Sequence, residues 1–237
     1  MSGTLRGIAE RLAPFGLVTR GGFHPAPNDD VPALRGGRTT GTLVLVGNVG
    51  RPDGDPIWAA FAEARGKFPG TDPMNDWTRA SVGGIAAELS ATALYPFGGP
   101  PHLPFQRWAM RAEPVSPSPL GLLIHPEYGL WHAYRAALAF ADRLDLPARM
   151  TAASPCATCA DKPCLHACPV DAFSAKGYNV ARCAAHLDTP SGNDCMELAC
   201  RARRACPVGA ERLHVPDQAR FHMRAFRRGV ALRRGGA

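Results

Sequence analysis

The chain has 237 residues, 46% of them hydrophobic, and a formal net charge of +7 from 27 Lys and Arg against 20 Asp and Glu. That length and apolar content allow one or two packed domains and exclude a disordered polypeptide. No apolar run approaches the roughly 18 residues that a membrane span requires, and the start, MSGTLRGIAERLAPFGLV, has neither the apolar core of a signal peptide nor a twin-arginine motif. A cytoplasmic protein without a membrane span is the expectation.

In chain order, TLVLVGN (42 to 48) is a short apolar run closed by Gly and Asn, which suits a buried strand. DPIWAAFAEAR follows, with Asp55 as N-cap and Pro56 at the first helical position, and Trp58 and Phe61 share one face at i, i+3 spacing. A second helix is expected in DWTRASVGGIAAELSA after Asp76, a strand over 92 to 97, and a short helix over 104 to 113. A third strand is expected over 120 to 126 and a long amphipathic helix over 130 to 144. Strands alternating with helices predict an α/β (or α+β) layered domain over residues 1 to 150. LPARMTAASP is a linker into a segment, 151 to 215, where short cysteine-bearing loops replace periodic elements. Residues 216 to 237 form a basic C-terminal helix or tail.

All eight cysteines lie between Cys156 and Cys206, a clustering that no disulfide-stapled secreted protein shows. The block CATCADKPCLHACPV (156 to 170) and the looser continuation from Cys183 through CMELACRARRACPVG (195 to 209) both end in Cys-Pro-Val. Three thiolates from one loop plus a distant fourth is the ligand arrangement of bacterial two-cluster ferredoxins, in which the cysteine before proline serves the other cluster. By that analogy Cys156, Cys159, Cys164 and Cys206 hold one [4Fe-4S] cluster, while Cys168, Cys183, Cys195 and Cys200 hold a second. The gap from Cys159 to Cys164 is longer than the usual CxxC. Proline, lacking an N–H and fixing φ, sets the direction in which the chain leaves the site. Two structural zinc sites would use the same eight thiols, and His166 is then a further ligand, or otherwise a hydrogen-bond donor to a cluster sulfur.

The net charge invites a nucleic-acid partner. Yet only Lys67, Lys162 and Lys176 are lysines, and the arginines are scattered except in the tail RAFRRGVALRRGGA. Eight thiolates around two dicationic cores would offset about four of the positive charges, so the excess reads as a counterweight to buried anions. Nucleic acid is therefore not the expected partner. The tail is either a solvated, frayed terminus or a docking surface for an acidic electron-transfer partner.

The run from SPLGLLIHPEYGLW through AYRAALAFADRLDLP into the cysteine block resembles epoxyqueuosine reductase, a cobalamin and double [4Fe-4S] enzyme, over Pro119 to Cys206. Upstream, GFHPAPNDDVP, GTLVLVGNVG, IWAAF and DPMNDWTRASVGGIAAEL are similar to cobalamin-processing proteins that remove the upper ligand of vitamin B12. The two resemblances together imply a flavin-reductase-like domain followed by a small ferredoxin-like two-cluster domain. They imply a corrinoid near PFGGPPHLP (96 to 104) and the strand Gly121 to His125, with Gly98, Gly99, Gly121 and His125 as cofactor-binding residues. The resemblance implies an oxidoreductase of the corrinoid-reductase type; a non-enzymatic ferredoxin-like carrier, with the N-terminal domain as its docking module, is the alternative. Epoxyqueuosine reductases carry a proposed proton-donating aspartate ahead of the Gly-rich strand. Here FGGPPHLPFQRWAMRAEPVSPSPLG holds Glu113 as its one acid, and the long helical-repeat region of many members is missing, so the resemblance does not extend to a tRNA epoxide. Gly98 and Gly99 are equally read as an ordinary loop, His102 and His125 as hydrogen-bonded histidines, and Trp108 and Trp131 as core rather than stacking residues.

Overall fold

A computed structural model describes residues 4–174 and 177–235. Its chain divides into two compact units, one made of Met1–Val49, Pro56–Val115 and His132–Ala152, the other of Gly50–Asp55, Ser116–Trp131 and Ala153–Ala237. Helix accounts for 45% of the chain and strand for 16%, and among the described residues every strand pairing is antiparallel. Antiparallel sheets with helices set apart from them make this an α+β protein.

The first unit is built on α1 (Leu5–Leu12), β1 (Val18–Phe23), β2 (Thr42–Val49), α2 (Pro56–Ala64), α3 (Pro73–Glu88), β3 (Thr92–Leu94), α4 (Phe105–Ala112) and β4 (His132–Phe140). Thr4 starts α1 by accepting the Gly7 N–H on its Oγ1 at 3.2 Å. Pro73 occupies the first turn of α3, where its missing N–H leaves no bond unmade, so that helix starts before Asp76 rather than after it. The strands form one sheet in the order β1-β2-β4-β3. At its centre Leu43, Val44, Leu45 and Val46 oppose Ala139, Leu138, Ala137 and Ala136, all nearly inaccessible. Helices α1 and α4 pack on β1, and α3 packs on β3 and β4.

The segment expected as a helix over 130 to 144 is this central strand β4. Its alanines suggest helix by intrinsic propensity, but a strand covered on both faces has no polar alternation to betray it. Packing against the Leu and Val side chains of β2 decides the matter.

The second unit carries little regular structure before its last helix. The predicted strand over 120 to 126 is a two-residue strand, Leu123–Ile124, paired with Ser116–Pro117. His125 and Gly129 exchange backbone hydrogen bonds at 2.9 and 3.0 Å, closing the loop HPEYG. Short helices α5 (Pro155–Thr158), α6 (Pro163–His166), α7 (Val180–Leu187), α8 (Asn193–Leu198) and α9 (Arg201–Arg204) follow. Phe173–Ser174 and Gly177–Tyr178 form a small hairpin between α6 and α7. The basic C-terminal segment is α10 (Pro216–Gly235), where Arg220 pairs with Glu197 and Arg227 with Asp188. The segment read as a frayed tail, from Arg224, is helical as far as Gly235, and Gly236 and Ala237 lie outside the described residues. Among the described residues no helix is long and apolar enough to cross a membrane.

The core of this unit is partly made of sulfur. Leu120, Ile124, Leu130, Ala172 and Ala202 pack with Cys168 and Cys206, and Cys156, Cys164, Cys183 and Cys200 lie against the same cluster.

Candidate metal and cofactor sites

Short loops position the thiols. Pro155 and Pro163 stand at the first positions of α5 and α6, pre-setting φ for single helical turns that hold Cys156 and Cys164. Cys200 precedes α9 as its N-cap, and its sulfur accepts the N–H groups of Ala202 and Arg203. Cys168 accepts the Ala172 N–H at 3.3 Å. Cys206 accepts the Val208 N–H, and Cys164 accepts that of Leu165.

The thiols feel one another in two sets. Burial raises the Cys156 thiol above its usual range, and Cys206, Cys164 and Cys159 raise it further. Cys164 is raised by burial and then by Cys206 and Cys159, and Cys206 by burial and then by Cys159. In the other set burial raises Cys183, against a stabilising bond from the Tyr178 hydroxyl, with Cys168 and Cys195 adding to it. Cys200 is raised by burial, then by Cys195 and Cys183. Cys168, Cys183, Cys195 and Cys200 also line one pocket, with His186 and Met223 beside them. Burial and neighbouring sulfurs disfavour ionisation of Cys183 and Cys200, and a cationic core would relieve both the burial cost and the repulsion. Among the described residues no three His, Cys, Asp or Glu side chains close on a point as a single metal ion would need.

His166 is exposed at the end of α6, and among the described residues it donates to no sulfur. A hydroxyl from Tyr178 takes that part at Cys183. Nothing in the residue spacing marks Tyr178, because its reach to Cys183 depends on the Phe173–Tyr178 hairpin turning back.

The four residues expected around a corrinoid fall in different units. Gly98 and Gly99 belong to the first, in a loop where His102 Nδ1 bonds to the Gly98 carbonyl at 3.0 Å. Gly121 and His125 belong to the second. Gly121 sits at φ +74° with open space around it and closes the turn after Ser118. His125 is buried, stacks on Tyr128 at 4.1 Å between ring centroids, and accepts the N–H groups of Glu127 and Tyr128 on Nδ1 at 3.1 and 3.3 Å. That bonding puts the ring proton on Nε2 and gives the imidazole a role in shaping its own loop. Trp108 is core, its Nε1 donating to the Asp29 carbonyl at 2.7 Å. Trp131 is core as well, under the Arg203 guanidinium at 4.2 Å.

Two charge sites of the first unit, one buried at Arg20 and one part-buried at Arg135, were not legible in the sequence. Arg20, 2% exposed, donates to both oxygens of Glu113 at 2.6 and 3.1 Å and to the Asn48 carbonyl at 3.0 Å. The Tyr134 hydroxyl donates to the same carboxylate, and burial together with that neighbour holds the phenol well above its ordinary range. Both oxygens of Glu113 are thus taken up by donors. Arg135 is lowered to about 10 by burial; it rests on the neutral oxygens of Met74, Asn75 and Thr78 and lies 5.2 Å from the Phe97 ring centre. Glu113→Ala should cost about 3–5 kcal/mol, because it strands a buried guanidinium, and Glu113→Gln distinctly less. Denaturant unfolding of the two variants measures the difference.

No family model matches the sequence, and no curated protein matches it either. Among solved structures, the C. elegans B12-trafficking protein CblC, a human MMACHC homologue, superposes with a TM-score of 0.52 at 14% identity, covering 94% of each chain. At that identity the likeness is one of fold. A selenomethionine-labelled epoxyqueuosine reductase gives a TM-score of 0.47 at 14% identity over 76% of this chain and 52% of its own. An epoxyqueuosine reductase bound to a modified tRNA stem loop gives 0.48 at 13% identity over 89% and 67%. Both of these are too loose to carry an argument.

Proposed function

We propose that this chain is an iron–sulfur redox protein whose cysteine-rich unit holds two [4Fe-4S] clusters and delivers electrons to a corrinoid, for reduction of the cobalt or removal of its upper ligand. The observation that carries the cluster reading is the pocket lined by Cys168, Cys183, Cys195 and Cys200, with Cys206 acting on Cys156 and Cys164 from the far end of the cysteine segment. Grouping Cys206 with the first loop and Cys168 with the second half is the crossed pattern that the Cys-Pro endings imply, and the pocket that Cys168 shares with Cys183, Cys195 and Cys200 supports it. Soft thiolates receiving N–H and O–H bonds on sulfur are a donor set that suits such clusters.

When bound, the clusters supply one-electron transfer. The chain's own residues hold the thiolates in short turns, exclude water with Leu120, Ile124 and Leu130, and offer donors that stabilise negative charge on sulfur. The corrinoid half of the proposal is supported by the fold likeness to a B12-trafficking protein and by the sequence resemblance upstream of residue 90.

A non-enzymatic electron carrier is the second reading, and one observation favours it. Glu113, standing where an acid would be sought, is occupied by Arg20 and Tyr134.

Anaerobic isolation with iron and sulfide analysis tests the first half. About eight irons and eight sulfides per chain are expected, and two zincs with no iron would overturn it. Hydroxocobalamin then tests the second half. A base-off spectrum, with reduced-cobalt bands forming faster than without protein, supports corrinoid reduction. An unchanged spectrum with clusters that still bleach leaves the carrier.

A further inference from the structure

The first unit has an open cavity of its own, where the end of α1, the turn after α2 and one face of α3 meet. Its volume is about 430 Å³, at the lower end of the roughly 300–1,000 Å³ of small-molecule sites. That is room for a compact ring system and not for a corrin macrocycle. Neither the cysteines nor Gly98, Gly99, Gly121 and His125 line it.

The walls are apolar, with Phe15, Phe68, Trp77 and Ile85 among them. Trp77 is 3% exposed and meets Phe15 and Phe61 edge-on, at 6.2 and 5.9 Å between ring centroids. Core packing therefore fixes the aromatic wall in place. The charges at the rim do not balance. Arg11 donates to the Gly7 carbonyl at 2.9 Å and pairs with Glu88 at 3.4 Å, so those two neutralise each other. Lys67 lines the same cavity, and among the described residues it pairs with no carboxylate. Ser81 adds a hydroxyl. An apolar wall beside an uncompensated cation and a hydroxyl is complementary to an anion with an apolar body.

Gly84 points the same way on separate grounds. It lies inside α3 and lines the cavity, and a Cβ built on it meets nothing within 4 Å. Glycine in a helix interior is less favourable than alanine, and no neighbouring backbone or side chain requires it here. Its effect is to leave the cavity open.

We infer that this cavity binds an aromatic carboxylate, its ring against Phe15, Phe68 and Trp77 and its carboxylate facing the Lys67 ammonium. Ring-on-ring contact gains more than area burial alone, which favours an aromatic body over an alkyl chain. Lys67 is exposed, so its charge orients the ligand more than it tightens binding.

Isothermal titration calorimetry of the full chain with 1-naphthylacetate and the uncharged 1-naphthylacetamide tests this. One saturable site is expected for the carboxylate, with the amide about threefold weaker, the size of an exposed ion pair. Lys67→Gln should lose the same factor for the carboxylate and leave the amide unchanged, and the difference should fade at about 1 M salt. Gly84→Leu should weaken both ligands at least about tenfold by occupying the cavity, while Gly84→Ala should raise the thermal midpoint of the unliganded protein. No saturable binding at millimolar carboxylate, or undiminished affinity in folded Gly84→Leu, would overturn the inference. If Gly84→Leu does not fold, Lys67→Gln at its exposed position still decides, and an unchanged carboxylate affinity there would overturn it as well. A parent dimer that Gly84→Leu splits on gel filtration would mean that a second copy covers the wall, and would also overturn it. None of these outcomes depends on whether iron or a corrinoid binds.

Discussion

Iron should fall from about eight to about four per chain in Cys206→Ala, and Cys156→Ala combined with Cys206→Ala should lose no more. Cys200→Ala should also lose about half, whereas Cys200→Ala with Cys206→Ala should lose all of it. The logic is that of a double-mutant cycle: residues serving one unit are non-additive, residues serving separate units add. The expectation follows from Cys206 acting on Cys156 and Cys164 although 49 and 41 residues of chain lie between. Nearest-neighbour assignment along the sequence would instead pair Cys206 with Cys200, and the double variant of those two would then lose only half. Iron analysis of four purified proteins decides between the two patterns. The stability cost should follow the iron, since these sulfurs form part of the core of their unit and ligation free energy is folding free energy in such a site.

Gly129→Ala should be the most damaging single methyl in the cysteine-rich unit, at more than about 4 kcal/mol, among the exceptional values for a point change. Gly129 has φ +55°, and a Cβ there would stand 1.8 Å from the Val208 carbonyl oxygen. The approach is mutual: a Cβ on Gly209, at φ +70°, would stand 2.6 Å from the Tyr128 carbonyl oxygen. Two backbones meet face to face here, and both are rigid, so no side chain can swing aside. Val208 also donates its N–H to Cys206, which ties the contact to the thiol. Gly121→Ala separates strain from collision, because its φ is +74° but nothing lies within 4 Å. It should cost only about 1–2 kcal/mol, the ordinary penalty for a left-handed residue with a Cβ. Thermal unfolding of the reconstituted proteins measures both, and loss of visible absorbance in Gly129→Ala at a temperature where Gly121→Ala retains it would show Cys206 displaced. Equal effects of the two substitutions would mean the loops can part without consequence.

That contact also gives a physical account of two motifs. HPEYG and CPVG end in glycine because Gly129 and Gly209 are where their loops touch. In the sequence they stand eighty positions apart, and neither spacing nor composition relates one to the other.

By itself the sequence determined the elements whose signals are local. The strand at β2 followed from an unbroken apolar run, α2 from its Asp-Pro start and the i, i+3 pair Trp58 and Phe61, and the restriction of all thiol chemistry to residues 156 to 206 from simple clustering. Local signals suffice there because each rests on residues within one or two turns of one another. Tertiary structure alone decided the rest. It made AYRAALAF a central strand, since burial between β2 and β3 outweighs the helical preference of alanine. It placed Ser116–Trp131, with Gly121 and His125, in the cysteine-rich unit and Gly98 and Gly99 in the other. It locked Glu113 between Arg20 and Tyr134, and it brought the Tyr178 hydroxyl to Cys183. Each of these depends on residues remote in the chain, whose meeting is fixed by which apolar faces find a partner, and a pattern read along one chain holds no record of that choice.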